Sequence, residues 1–123
     1  MKVVFFSESS IVGKVDRKHP NARNDIAWSI MMDADWCPYG VKPSGNYDLG
    51  VVTIPKTKPN LDVDSFRKYC DKIVVMQEGP HWYFQDYSVE QQFQFIENLR
   101  KADWVWCHNK SDVSYYEGLG CED

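Results

Sequence analysis

Four short apolar runs constrain this chain more than any other feature: KVVFF at residues 2–6, LGVVTI at 49–54, KIVVM at 72–76 and WVWC at 104–107. Each is continuous and rich in Val, Ile and aromatic residues. A strand that shows one face to water alternates polar and apolar positions; a strand buried on both faces does not. The second pattern is that of a parallel sheet covered by helices. Pro55 and Gly79 help to close two of the runs.

Helical spacing fills the gaps between the runs. Residues 88–101 place Val89, Phe93, Ile96 and Leu99 near one stripe, and Ser88 followed by Gln91 matches a capping box. A second helix is predicted over 63–70, capped by Asp62, with Val63, Phe66 and Cys70 facing inward. Residues 23–34 carry Ile26, Ala27, Trp28, Ile30, Met31 and Met32, apolar on nearly every side, which predicts a largely buried helix. A last helix is predicted over 111–118, capped by Ser111, with Tyr115, Tyr116 and Leu119 as its apolar contacts. Residues 35–47, with Pro38, Gly40, Pro43 and Gly45, read as loop with a short edge strand near Val41.

Strand and helix therefore alternate, which predicts an α/β fold: a Rossmann-like open parallel sheet of four to five strands with linking helices, in two or three layers. At 123 residues the chain is one domain of ordinary size. A chain this long hides roughly two thirds of its unfolded surface, enough for a core without disulfides or metals. With 43% apolar and 26% charged residues it is neither disordered nor fibrous.

The charge balance excludes some partners. Fourteen basic against eighteen acidic residues give a formal charge of -4, and the densest basic stretch, Lys14 with Arg17, Lys18 and Arg23, is diluted by Asp16. Nucleic acid is not an expected partner. No apolar run approaches the ~20 residues of a membrane span or the core of a signal peptide, so a cytoplasmic protein is expected. Cys37, Cys70, Cys107 and Cys121 lie 33, 37 and 14 residues apart, which leaves no CxxC pair and predicts buried or idle thiols with no metal.

In an open parallel sheet, ligands bind beyond the carboxyl ends of the strands. The segments there carry Ser7, Glu8, Ser9 and Ser10 after the first run, Glu78, Gly79, His81 and Trp82 after the third, and His108 and Asn109 after the fourth. The first of these segments lacks GxGxxG and GxxxxGK[ST], so no phosphate cradle is written there. Glu8 alone also falls short of the acidic cluster a receiver domain needs. Glu78 and His81 are the candidate acid–base pair, because a carboxylate and an imidazole close together shift each other toward neutrality. Trp82 can stack on a sugar or a base, and His108 with Asn109 can bond a ligand hydroxyl.

Two blocks carry a resemblance: VMQEGPHWYFQDY at 75–87, and ADWVWCHNKSD at 102–112 followed by YYEGL at 115–119. They are similar to the N-terminal half of GT-B glycosyltransferases, most closely to phage and marine-metagenome members, over nearly the whole chain. The resemblance implies the acceptor-side half of a two-domain enzyme, an incomplete piece that should not turn over alone. A carbohydrate or other hydroxyl acceptor would meet the segments at Ser7 to Ser10, Glu78 to Trp82 and His108 to Asn109. The nucleotide-sugar donor would lie on the absent C-terminal half. Glu78 or His81 would be the base, with no cofactor and no metal. It also implies strands in sequential order with three linking helices on one face, and hence a homodimer that covers the bare face. A stand-alone flavodoxin-like binding or signalling module, or a small flavin carrier, is the alternative.

Overall fold

A computed structural model describes residues 1–7, 12–14, 24–54, 61–77, 86–107 and 110–121. Five strands form one sheet: β1 (Val3–Ser7), β2 (Asp35–Pro38), β3 (Tyr47–Ile54), β4 (Cys70–Gln77) and β5 (Trp104–Trp106). Every pairing is parallel and the spatial order is β2-β1-β3-β4-β5. The helices are α1 (Asn24–Met31), α2 (Val89–Lys101) and α3 (Lys110–Gly118), with a 3-10 helix at Val63–Lys68. The α/β open parallel sheet expected from the four apolar runs is what the chain builds.

β1 shows why those runs are continuous. It lies between β2 and β3, and all five of its residues are buried. Phe5 faces one side with Trp36, its register partner, their rings 5.6 Å apart; Phe6 faces the other, 4.4 Å from the ring of Phe66. Each such side chain contributes about 1.5–3 kcal/mol by leaving water.

Two clusters result. One side of the sheet, with Val4, Phe6, Val52, Ile73, Val75 and Val105, packs Val63 and Phe66 of the 3-10 helix, Phe95 and Leu99 of α2, and Tyr116 of α3. The opposite side, with Val3, Phe5, Trp36, Val51, Val74 and Met76, packs Trp28 and Ile30 of α1 and the half-buried Met32 and Trp106. Helices thus lie on both faces.

The four apolar runs do stand side by side in chain order, as β1, β3, β4 and β5, but β2 adds outside β1, which breaks the sequential order of the whole sheet and overturns the expectation of three linking helices on one face. From β1 the chain moves outward to β2 by way of α1 on one face, then returns past β1 to β3 along the other, and continues to β4 and β5 on that second face. Reversing direction and face together keeps the crossovers of one hand. The β2–β3 return, residues 39–46, has no helix and is pinned by Cys37, whose Sγ donates to the Val41 carbonyl at 3.1 Å. With α1 on the face expected to be bare, the reason for expecting a homodimer falls away.

Local patterns fare unevenly. The capping box is present: Ser88 Oγ accepts from the Gln91 N–H at 3.2 Å and Gln91 Oε1 from the Ser88 N–H at 3.0 Å. The inward stripe of α2 is rotated by one position, however, to Phe95, Asn98 and Leu99, and leaves Val89 and Phe93 exposed. Asp62 caps as expected, accepting from the Asp64 N–H at 3.1 Å, but the element it opens is a six-residue 3-10 helix, and Cys70 already belongs to β4. The first N–H of that helix, on Val63, is taken by buried Asn98 Oδ1 at 3.2 Å. The edge strand is Asp35–Pro38, ahead of Val41, and α3 begins at Lys110, which places Ser111 inside the helix.

α1 and α3 end alike. At α3, Gly120 (φ +86) donates to the Glu117 carbonyl and Cys121 to that of Tyr116; at α1, Asp33 (φ 51) donates to Ile30 and Ala34 to Ser29. Both are Schellman turns, and the left-handed residue that glycine adopts freely is an aspartate in the first. No described helix is long and apolar enough to cross a membrane.

Candidate ligand-binding edge

Because every strand runs the same way, Ser7, Pro38, Ile54, Gln77 and Trp106 all end on one edge of the sheet. Connections at the opposite, amino edge are tight: residues 32–34 before β2, 69 before β4 and 102–103 before β5. The segments that leave the carboxyl ends of β1, β2, β3, β4 and β5 are residues 8–23, which come to the amino end of β2 at Lys14, then 39–46, 55–62, 78–88 and 107–109. Residues 55–62 and 78–88 are longer than the amino-edge turns and leave from the edge where doubly wound sheets bind ligands, and connections beyond the few residues needed to turn are disproportionately functional.

The amino edge is built as a clamp. Asp103 accepts from the Ile73 N–H at 2.8 Å and from Arg67 Nη1 at 3.1 Å, and Arg67 Nη2 reaches the Lys101 carbonyl at 2.6 Å. Burial pushes the Asp103 carboxyl up, but those donors and the charges of Arg67 and Lys72 outweigh it and hold it below its ordinary value of 3.8. On the other side, Lys14 bridges Asp33 and Asp35 at 3.3 Å each, and the Tyr47 hydroxyl donates to Asp35 at 2.8 Å. Gly13 exchanges two backbone hydrogen bonds with Trp36 along the outer edge of β2.

At the carboxyl edge the strand order reverses between β1 and β3, and the crevice rule points to that place. Tyr39 spans it. Its N–H donates to the Ser7 carbonyl at 3.0 Å, its hydroxyl donates to the Thr53 carbonyl, and its ring lies 6.0 Å from that of Phe66. Farther along the same edge, α3 opens directly after β5 and places Asp112 fully buried in its first turn. Tyr116, one turn on, is also fully buried; burial pushes its phenol well above the ordinary range, and Asp112 adds to the effect.

Of the residues singled out from sequence, Ser7 is described: it is buried at the end of β1, with its backbone bonded to Tyr39. Glu8, Ser9, Ser10, Glu78, Gly79, His81, Trp82, His108 and Asn109 lie outside the described residues. What the structure gives is the roots of their segments. Glu78 follows Gln77 at the end of β4 and His108 lies two residues beyond the end of β5, and these two strands are adjacent. Ser7 stands two strand spacings from β4, about 10 Å.

Tyr39 and Thr53 were not legible as site residues, because their meeting depends on strand order. The local signal was a short apolar run, Trp36 and Cys37, that ends in Pro38, Tyr39 and Gly40. The four cysteines form no disulfide, and burial, with the neighbouring charge of Asp71, pushes the Cys70 thiol up to about 11, where it stays protonated and inert. Among the described residues no group of three His, Cys, Asp or Glu could hold a metal ion. Comparison with known protein families, with curated proteins and with solved structures finds no match.

Proposed function

We propose that the carboxyl edge is the acceptor-side half of a glycosyl-transfer cleft, with the nucleotide-sugar donor held by a second α/β half that faces it. The observation that carries this reading is that the segments after the adjacent strands β4 and β5, the eleven-residue 78–88 and the short 107–109, both leave the sheet at its carboxyl edge. Those two segments bear Glu78, His81, Trp82, His108 and Asn109 in sequence. Acceptor binding needs that mixture: an aromatic ring to stack on the apolar face of a sugar, amide and imidazole groups for its hydroxyls, and a base for the reacting oxygen. In this reading Glu78 or His81 takes the proton of the acceptor hydroxyl as that oxygen attacks the anomeric carbon and the nucleotide leaves.

The strand order suits this reading. A Rossmann sheet in the order 3-2-1-4-5-6, without its outer strand 3, renumbers to 2-1-3-4-5. The same order belongs to flavodoxin-like sheets, which favours a stand-alone binding module as the second reading.

Amide shifts of the labelled protein decide between them. Titration with neutral oligosaccharides is expected to move Gln77, Cys107 and Asp112 while Asp48 and Ala102 stay still, and Trp82→Ala is expected to weaken the response. UDP-sugars are expected to move none of these. Oligosaccharides that leave the carboxyl edge unmoved, or a UDP-sugar that binds this chain tightly, would overturn the acceptor reading.

A further inference from the structure

We propose that Tyr39 is a built-in plug of the β1/β3 crevice, which closes that crevice to flat-ring nucleotides such as a flavin mononucleotide. In doubly wound sheets of this order the crevice at the point of strand reversal is where such a ring enters. Here the chain's own aromatic side chain crosses it. Three contacts in three directions hold it: backbone to Ser7 on β1, hydroxyl to Thr53 on β3, and ring against Phe66 of the 3-10 helix. Tyr39 is half-buried and packs against the main cluster of the core, so it is part of the edge's floor.

An entering ring must first displace Tyr39, losing its hydrogen bond to Thr53 and its contact with Phe66. Only the fraction of molecules with Tyr39 swung away can accept the ligand, and apparent affinity falls by that fraction. The segment that Tyr39 opens, residues 39–46, is also the helix-free return from β2 to β3. The plug therefore ties that return to the sheet's carboxyl edge.

FMN is the probe, followed by its fluorescence and by the amide shifts of Ser7, Tyr39 and Thr53. Wild-type protein at millimolar FMN is expected to show no shift at these three positions. Tyr39→Ala removes the plug and is expected to bind FMN about tenfold more tightly, with Ser7 and Thr53 now responding. Tyr39→Phe keeps the ring and loses only the hydroxyl bond, and is expected to stay closer to wild type. Should Tyr39→Ala fail to fold, Tyr39→Leu serves the same comparison, since it too vacates the position of the hydroxyl and half of the ring. Wild-type shifts at Ser7 and Thr53 on adding FMN would overturn the plug. So would a folded Tyr39→Ala or Tyr39→Leu that gains no affinity. The acceptor reading is decided elsewhere, by oligosaccharide shifts at Gln77 and Cys107, so that either can fail alone.

Discussion

The face of the sheet formed by Val4, Phe6, Val52 and Ile73 is closed by the 3-10 helix, α2 and α3 together, whereas the face formed by Phe5, Val51 and Val74 takes α1. On the first face the apolar load is spread over several elements and a polar tie crosses between two of them, Asn98 to the Val63 N–H. On the second it is concentrated in indole rings: Trp28 meets Trp106 edge-on at 5.6 Å, and Trp36 donates its ring N–H to Ser29 at 2.7 Å. A sheet can be sealed by many small contacts or by a few large ones. The first way shares out a loss; the second makes one helix the weak unit, expected to open before the rest in native-state hydrogen exchange.

The largest test falls on the shared face. A Cβ on Gly50 would sit 2.6 Å from Cys70 Sγ and 3.2 Å from Cys70 Cβ, so Gly50→Ala is expected to cost about 2–3 kcal/mol in urea unfolding. Adding Cys70→Ala removes the sulfur but not the Cβ, and about half of the loss should return. Full additivity of the two changes would show that the close approach is not what fixes glycine there.

Next come the two polar ties. Asn98→Ala leaves a buried N–H without its acceptor and is expected to cost about 1–3 kcal/mol, while Ser29→Ala, which takes the acceptor from the indole N–H of Trp36, should cost about 1 kcal/mol. Amides of α1 should lose exchange protection in the Ser29 variant, and those of α2 and the 3-10 helix in the Asn98 variant. The same amides responding to both would erase the distinction between the faces.

A smaller effect is pH-dependent. The Asp103 carboxyl is lower in the folded chain than in the unfolded one, so its contribution is complete above about pH 5 and is lost as pH falls through the folded value. Asp103→Asn keeps an oxygen for the Ile73 N–H and removes the charge facing Arg67. It is expected to cost about 0.5–1 kcal/mol at pH 7 and to flatten the acid limb of the stability curve. Smallest of all, Asp33→Gly relieves a left-handed residue at the end of α1 and is expected to raise stability by about 0.5 kcal/mol, strengthening the weaker face.

Patterns that act within a few residues were legible in the sequence. β1, β3, β4 and β5 follow from uninterrupted apolar runs, and α2 begins where Ser88 and Gln91 said it would. β2 escaped because four residues, Asp35–Pro38, are too few to set a period and two of them are Asp and Pro. Cys70 counted as helix until β4 claimed it, since its burial against Gly50 is a contact between distant parts of the chain. The stripe of α2 was misread because Phe93 is as apolar as Phe95, and only the position of the sheet decides which of them faces inward. The candidate edge was legible as an edge, from the segments that come after the strands. Its crevice was not, because the neighbours of β1 are set by strand order, and Tyr39 acquires its meaning only once β2 and β3 flank that strand.

The antiparallel bridge between Gly13 and Trp36 gives the sheet a direction of growth. On the β2 side the hydrogen-bonding groups of Trp36 are already engaged, so a newcomer would meet an occupied rung. On the β5 side, α3 lies over the same face as α2, and a right-handed path continuing from it would lay any later ribbon outside Trp104–Trp106. This architecture can widen on one flank while the other stays fixed, a polarity that would decide where descendants of such a fold add new material.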